Sequence, residues 1–103
     1  MIDIKETDIF KNWMKSLKDK VGRSIINARI RRLSQGHKGG TKYLRDGISE
    51  LKVDVGPGYR VYFTHIEKTL VILLCGGDKS TQSGDITKAK TIAENLEDKN
   101  EKS

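Results

Sequence analysis

The chain has one cysteine, one proline, two histidines and only six aromatic residues in 103. The lone cysteine, Cys75, excludes an internal disulfide. Two histidines and one cysteine fall short of the four closely spaced ligands of a structural zinc site. No metal and no cofactor is therefore expected. Long apolar runs are missing too. The longest, Leu70 to Cys75, is far too short to cross a bilayer. The N-terminal M-I-D-I-K-E-T-D lacks the cationic start and apolar stretch of a signal peptide. These absences lead to the expectation of a cytoplasmic protein without a membrane segment. What is present in excess is positive charge. Twenty Lys and Arg against fourteen Asp and Glu give a net +6 and a pI of ≈ 9.5. Such a balance directs attention to nucleic acid, an acidic protein partner or an anionic surface.

The length fits one small domain with a modest core, expected over residues 1–97, with a charged tail over 98–103. Residues 2–6 alternate as a short strand does. Thr7 or Asp8 can cap a helix in which Phe10, Trp13, Met14 and Leu17 make one apolar stripe. Asp19 can cap a second helix, with Ile25, Ile26, Ile30 and Leu33 on its apolar arc and Gly36 at the C-terminal cap position. Lys20, Arg23 and Arg31 lie opposite that arc. Arg29 projects into it, and there it must snorkel, pair with a carboxylate or support a site. Residues 34–47 are polar and glycine-rich and read as loop. Three strand candidates follow, at roughly 48–55, 59–66 and 69–76, the first two joined by Gly56-Pro57-Gly58. From Ser83 or Asp85 onward, Ile86, Ala89, Ala93 and Leu96 repeat with helical period. The order β-α-α-β-β-β-α predicts an α+β domain: a helical hairpin packed on a small, mostly antiparallel sheet.

Alternation along the strands sorts their side chains by face. Leu51, Val53, Val55, Val61 and Phe63 make a core face. Glu50, Lys52, Asp54, Arg60, Tyr62 and Thr64 make a polar one. With a three-residue loop at 56–58, Asp54 opposes Arg60, Lys52 opposes Tyr62 and Glu50 opposes Thr64. An ordinary solvated sheet face would look the same. Two features argue for more. Tyr62 is an aromatic among charges, where a base or ribose could stack. Gly76-Gly77-Asp78-Lys79-Ser80-Thr81 ends the last strand just before a helix, a setting that can offer backbone N–H groups to an anion, with Lys79 beside them. It is not a Walker A loop, because Asp78 precedes Lys79-Ser80 in place of a glycine. His37, beside Lys38 and Lys42, reads as a loop residue, His65 as a strand-end residue, and Cys75 as buried and inert.

The blocks I-S-E-L-K-V-D-V-G-P-G-Y-R-V-Y-F and L-L-C-G-G-D-K-S-T-Q-S-G-D-I, with W-M-K-S-L-K-D and R-I-R-R-L-S-Q-G-H-K-G upstream, closely resemble the addiction-module killer proteins. These belong to the RelE/ParE superfamily of toxins, near the HigB branch. The resemblance implies a RelE-like fold and a toxin neutralised by a cognate antitoxin, a small HigA-like helix-turn-helix protein held with it in a hetero-oligomer. It also implies an mRNA endoribonuclease that inhibits translation, on or off the ribosome. The alternatives are a ParE-like poison of DNA gyrase and a non-catalytic RNA- or ribosome-binding module.

The implied reaction is metal-independent attack of a ribose 2′-OH on the neighbouring phosphate. Arg60 matches the arginine of the family's G-Y-R segment and would hold the nonbridging oxygens. Lys52 or Glu50 would take the 2′-OH proton. Lys79 falls where RelE-like members carry an arginine, and would serve the leaving oxygen. Tyr62, Lys42, Arg45 and Asp85 are the expected RNA contacts. Asp85 stands about where RelE has a catalytic tyrosine, no histidine follows the last strand, and Glu50 and Asp54 stand where RelE is basic.

Overall fold

Thr7 and Asp19 start the first two helices, as their side chains predict. The computed structural model describes residues 1–102, with side chains as far as Leu96. Its elements run β1 (Asp3–Glu6), α1 (Asp8–Ser16), α2 (Lys20–Ser34), β2 (Thr41–Arg45), β3 (Ile48–Val53), β4 (Tyr59–Glu67) and β5 (Leu70–Asp78). A 3₁₀ turn, Lys79–Thr81, then leads into α3 (Gln82–Lys102). The tail expected over 98–103 lies beyond the described side chains, and Ser103 lies outside the described residues altogether. The five strands form one sheet in the order β1-β5-β4-β3-β2. β1 runs parallel to β5, and the other pairings are antiparallel. This is the expected α+β class. Among the described residues no helix is long and apolar enough to cross a membrane.

The caps do double duty. Thr7 Oγ1 accepts from the Phe10 N–H at 3.0 Å and donates to the Leu74 carbonyl at 2.7 Å, which fixes the start of α1 against β5. One oxygen of Asp19 caps α2 through the Gly22 N–H at 2.9 Å. The other accepts from the Tyr59 hydroxyl at 2.9 Å. A Cβ at Gly22 would strike both Asp19 and the Tyr59 ring. α2 ends at Gly36 (φ +91), with the Gly36 N–H on the Leu33 carbonyl and the His37 N–H on the Arg32 carbonyl. That is the paired bonding of a glycine-terminated helix. Among the described residues Arg29 finds no carboxylate. Its Nη2 donates to the Gly39 carbonyl at 3.0 Å and ties the following loop to α2.

Two cores sit on the two faces of the sheet. α1 and α2 cover one, burying Phe10, Ile26, Leu33, Leu51, Val53, Val61, Phe63, Val71 and Leu73. Trp13 lies flat against Gly76, where any side chain would collide with the indole. α3 covers much of the other face, packing Ala89 and Ile92 on Ile48, Tyr62, Leu74 and Cys75. A bulge where Tyr62 and Phe63 pair with Cys75 and Leu73 turns both Leu74 and Cys75 towards α3.

Three expectations are corrected here. Part of the supposed loop at 34–47 is strand β2, paired with β3 through the tight turn Asp46-Gly47, both at positive φ. The β3–β4 connection is five residues, 54–58, not three, so Val53 opposes Tyr59 and the register moves by two. Lastly, the polar face is no open surface, because α3 lies across it.

Candidate functional site

A two-residue change of register keeps every side chain on its face but changes its neighbours. Lys52 opposes Arg60, and Arg60 opposes Gly77 on β5. The expected pair of Asp54 with Arg60 does not form. Asp54 has moved into the turn, where its Oδ1 lies 3.7 Å from Lys52 Nζ. In the next row, Lys42, Glu50, Tyr62 and Cys75 oppose one another in turn across β2, β3, β4 and β5. The two rows share the α3 side of the sheet.

The first turn of α3 closes over these rows. Gln82 Nε2 donates to Glu50 Oε2 at 2.8 Å. Asp85 sits directly above Gly77, in the space a Cβ would need, and accepts from Thr81 Oγ1 at 2.5 Å. Asp78 caps the intervening turn through the Ser80 N–H at 2.8 Å, and its other bonds to Ser80 and Thr81 hold the carboxyl below its ordinary range. As a result Glu50 and Arg60 are each only 6% exposed, and Tyr62 is fully buried.

Among the described residues, Arg60 Nε, Arg60 Nη1 and the Tyr62 hydroxyl are buried without a hydrogen-bond partner. Buried polar groups are nearly always paired, and an orphan calls for an explanation such as a catalytic role or a bound water or ion. These three are all donors, two of them cationic, on neighbouring residues of one strand face. What they lack is an acceptor. Burial, with Glu50 and Asp85 nearby, pushes the Tyr62 phenol well above its usual pKa, so it is a proton donor at neutral pH. Its ring has no open face, and the base stacking expected of it is not available in this arrangement.

The remaining expected residues divide by position. Lys52 is half exposed beside Arg60. Lys42 is exposed at the edge of the Glu50 row. Lys79 is exposed in the 3₁₀ turn, against Gly58 of the β3–β4 connection, at the same end of the sheet as Lys52 and Arg60. Arg45 is not gathered in. It opposes Ile48, four residues along β3 from Lys52, or about 13 Å at strand rise. Its Nε lies 4.0 Å from Asp46. Cys75 is buried, and burial, with Asp85 secondary, pushes its thiol up to about 11. Among the described residues no three His, Cys, Asp or Glu are grouped to hold a metal ion.

Gln82 is the residue that sequence reasoning missed. Its signal was there: the Ile86, Ala89 and Ala93 stripe, carried back one turn, lands on it. A second cationic surface lies on the far side of the molecule, where Lys11, Lys15, Lys20 and Arg23 line a groove of about 450 Å³ between α1 and α2.

No solved structure matches the chain. A protein of Haemophilus influenzae strain Rd, described as an uncharacterized protein, is 52% identical over 95 residues, spanning 92% of this chain and 96% of that one. The pattern of the family described as "Phage derived protein Gp49-like (DUF891)" matches residues 9–97, from the first turn of α1 into α3, and so takes in strands β2 to β5. The chain belongs to this Gp49-like, phage-derived family.

Proposed function

We propose that the protein is the toxin of a HigB-like toxin–antitoxin pair, and that it cleaves mRNA through the Arg60 face. The carrying observation is the buried Arg60 guanidinium with two partnerless nitrogens, next to Lys52 and the Tyr62 hydroxyl. The RelE-like, toxin-like character of the Gp49-like family supports the same reading. A phosphate is a fitting acceptor for that set, since guanidinium forks match it in shape and charge.

In the reaction, the 2′-oxygen bonds to the adjacent phosphorus and the bond from phosphorus to the 5′-oxygen breaks. The products are a 2′,3′-cyclic phosphate and a free 5′-hydroxyl. Glu50, enclosed and oriented by Gln82, is the better-placed base for the 2′-OH proton. Lys52, half exposed and beside Asp54, serves as a phosphate contact. Arg60 stabilises the charge that builds on the nonbridging oxygens, worth on the order of 3 kcal/mol, or about a hundredfold in rate. Lys79, in the 3₁₀ turn, would give the leaving 5′-oxygen its proton. The antitoxin partner would bring acidic side chains to one of the two cationic surfaces, and its affinity would fall as salt rises.

Brief expression in cells, followed by mapping of mRNA 5′ ends with and without translating ribosomes, tests this. Discrete new ends are expected, and their dependence on translation tells ribosome-bound cleavage from cleavage of free RNA. Intact mRNA with a DNA-damage response would replace the reading with gyrase poisoning. Salt-sensitive RNA binding without cut ends would leave a binding module.

A further inference from the structure

Glu50 and Arg60 are diagonal neighbours across β3 and β4, both 6% exposed and both long enough to meet. A carboxylate and a guanidinium enclosed together ordinarily pair, because each otherwise keeps an uncompensated buried charge. Here they do not. The ion pairs among the described residues lie elsewhere, at Asp46 and Asp54. Glu50 Oε2 instead accepts from Gln82 Nε2 at 2.8 Å, while Arg60 Nε and Nη1 have no partner among the described residues.

We propose that Gln82 is a positioning residue that holds the Glu50 carboxylate away from Arg60 and so keeps the guanidinium open for a phosphate. The inference rests on the reading of Arg60 as the phosphate-binding residue. A neutral amide suits the task. It donates to the carboxylate without cancelling its charge, and it adds no cation to compete with Arg60 for the ligand. It comes from the first residue of α3, so whether Arg60 stays unpaired depends on where that helix starts. Without the amide, Glu50 is free to turn to Arg60, and an incoming phosphate must then displace a carboxylate already in the fork.

The test is binding of an uncleavable 2′-O-methyl RNA oligonucleotide to the intact protein. Five forms are compared: wild type, Gln82→Met, Gln82→Ala, Gln82→Met with Glu50→Gln, and Arg60→Met. Gln82→Met keeps the length of the side chain and removes the amide that donates to Glu50. Gln82→Ala serves as a second variant, and circular dichroism confirms that each is folded. Gln82→Met is expected to bind at least tenfold more weakly, with the Arg60 Nε–H resonance shifted as a carboxylate pair forms. The double variant is expected to regain most of the affinity, because no carboxylate remains to fill the fork. A general structural role for Gln82 would not be rescued by Glu50→Gln. Wild-type affinity in both single Gln82 variants, or failure of the double variant to recover, would overturn the inference while the loss in Arg60→Met still upholds the phosphate reading. Undiminished binding by Arg60→Met would overturn both.

Discussion

Arg60 keeps two buried nitrogens without an acceptor, and an unmet buried donor costs about 1–3 kcal/mol. Replacing it with a chain of similar volume and no charge should therefore stabilise the fold while removing function. Arg60→Met is expected to raise the unfolding free energy read from urea titration by up to about that amount, and to lower RNA cleavage about a hundredfold. A variant less stable than wild type would mean that the guanidinium is satisfied in the native protein. At this scale the sequence showed which side chains share a face and not which ones meet. Glu50, Lys52, Arg60 and Tyr62 fall on one side because strand alternation survives a two-residue change of register. Their opposition depended on the length of the β3–β4 connection, and Gly56-Pro57-Gly58 marks a turn without giving its full extent. Burial of Tyr62 was not legible, since nothing in the strands says which face the last helix covers.

Among the elements, α3 decides the state of the site. It buries Glu50, Arg60 and Tyr62, and its first turn supplies Gln82 and Asp85. Gly77 is what permits that approach, because Asp85 occupies the volume of a Cβ there. Gly77→Ala is expected to push the first turn outward, costing about 1–3 kcal/mol and speeding amide exchange at the start of α3 more than in α1 or α2. Equal protection throughout would show that the turn can yield without losing its seat. The helix starts at Thr7 and Asp19 and the stop at Gly36 were legible because capping chemistry is local. Strand β2 was missed among the polar and glycine-rich residues of 34–47. Its clue was Asp46-Gly47, a pair suited to the positive φ angles of a tight hairpin turn, between Leu44 and Ile48.

For the whole molecule, the two-sided core ties stability to alkaline pH. The Cys75 thiol is held up to about 11 from an ordinary 9.0, chiefly by burial. Tyr62 is shifted the same way. Both groups are protonated when folded and ionise more easily when unfolded, so their contribution is intact below about pH 9 and drains away as pH rises through about 11. Urea midpoints measured from pH 8 to 11 should fall, and Cys75→Ala should flatten part of that fall; a level profile in the wild type would contradict the burial of both groups. The α+β class was legible from element order alone. The placement of α3 over the Arg60 rows was not, because it is set by the bulge at Leu74 and by Gly77, whose effects appear only once the strands are paired. The most direct test of the central claim uses purified protein and RNA, with and without ribosomes. Wild type is expected to leave discrete fragments ending in 2′,3′-cyclic phosphate and beginning with a 5′-hydroxyl, and folded Arg60→Met is expected to form them about a hundredfold more slowly. Intact RNA with the wild-type protein under both conditions, or equal cleavage by Arg60→Met, would contradict the account.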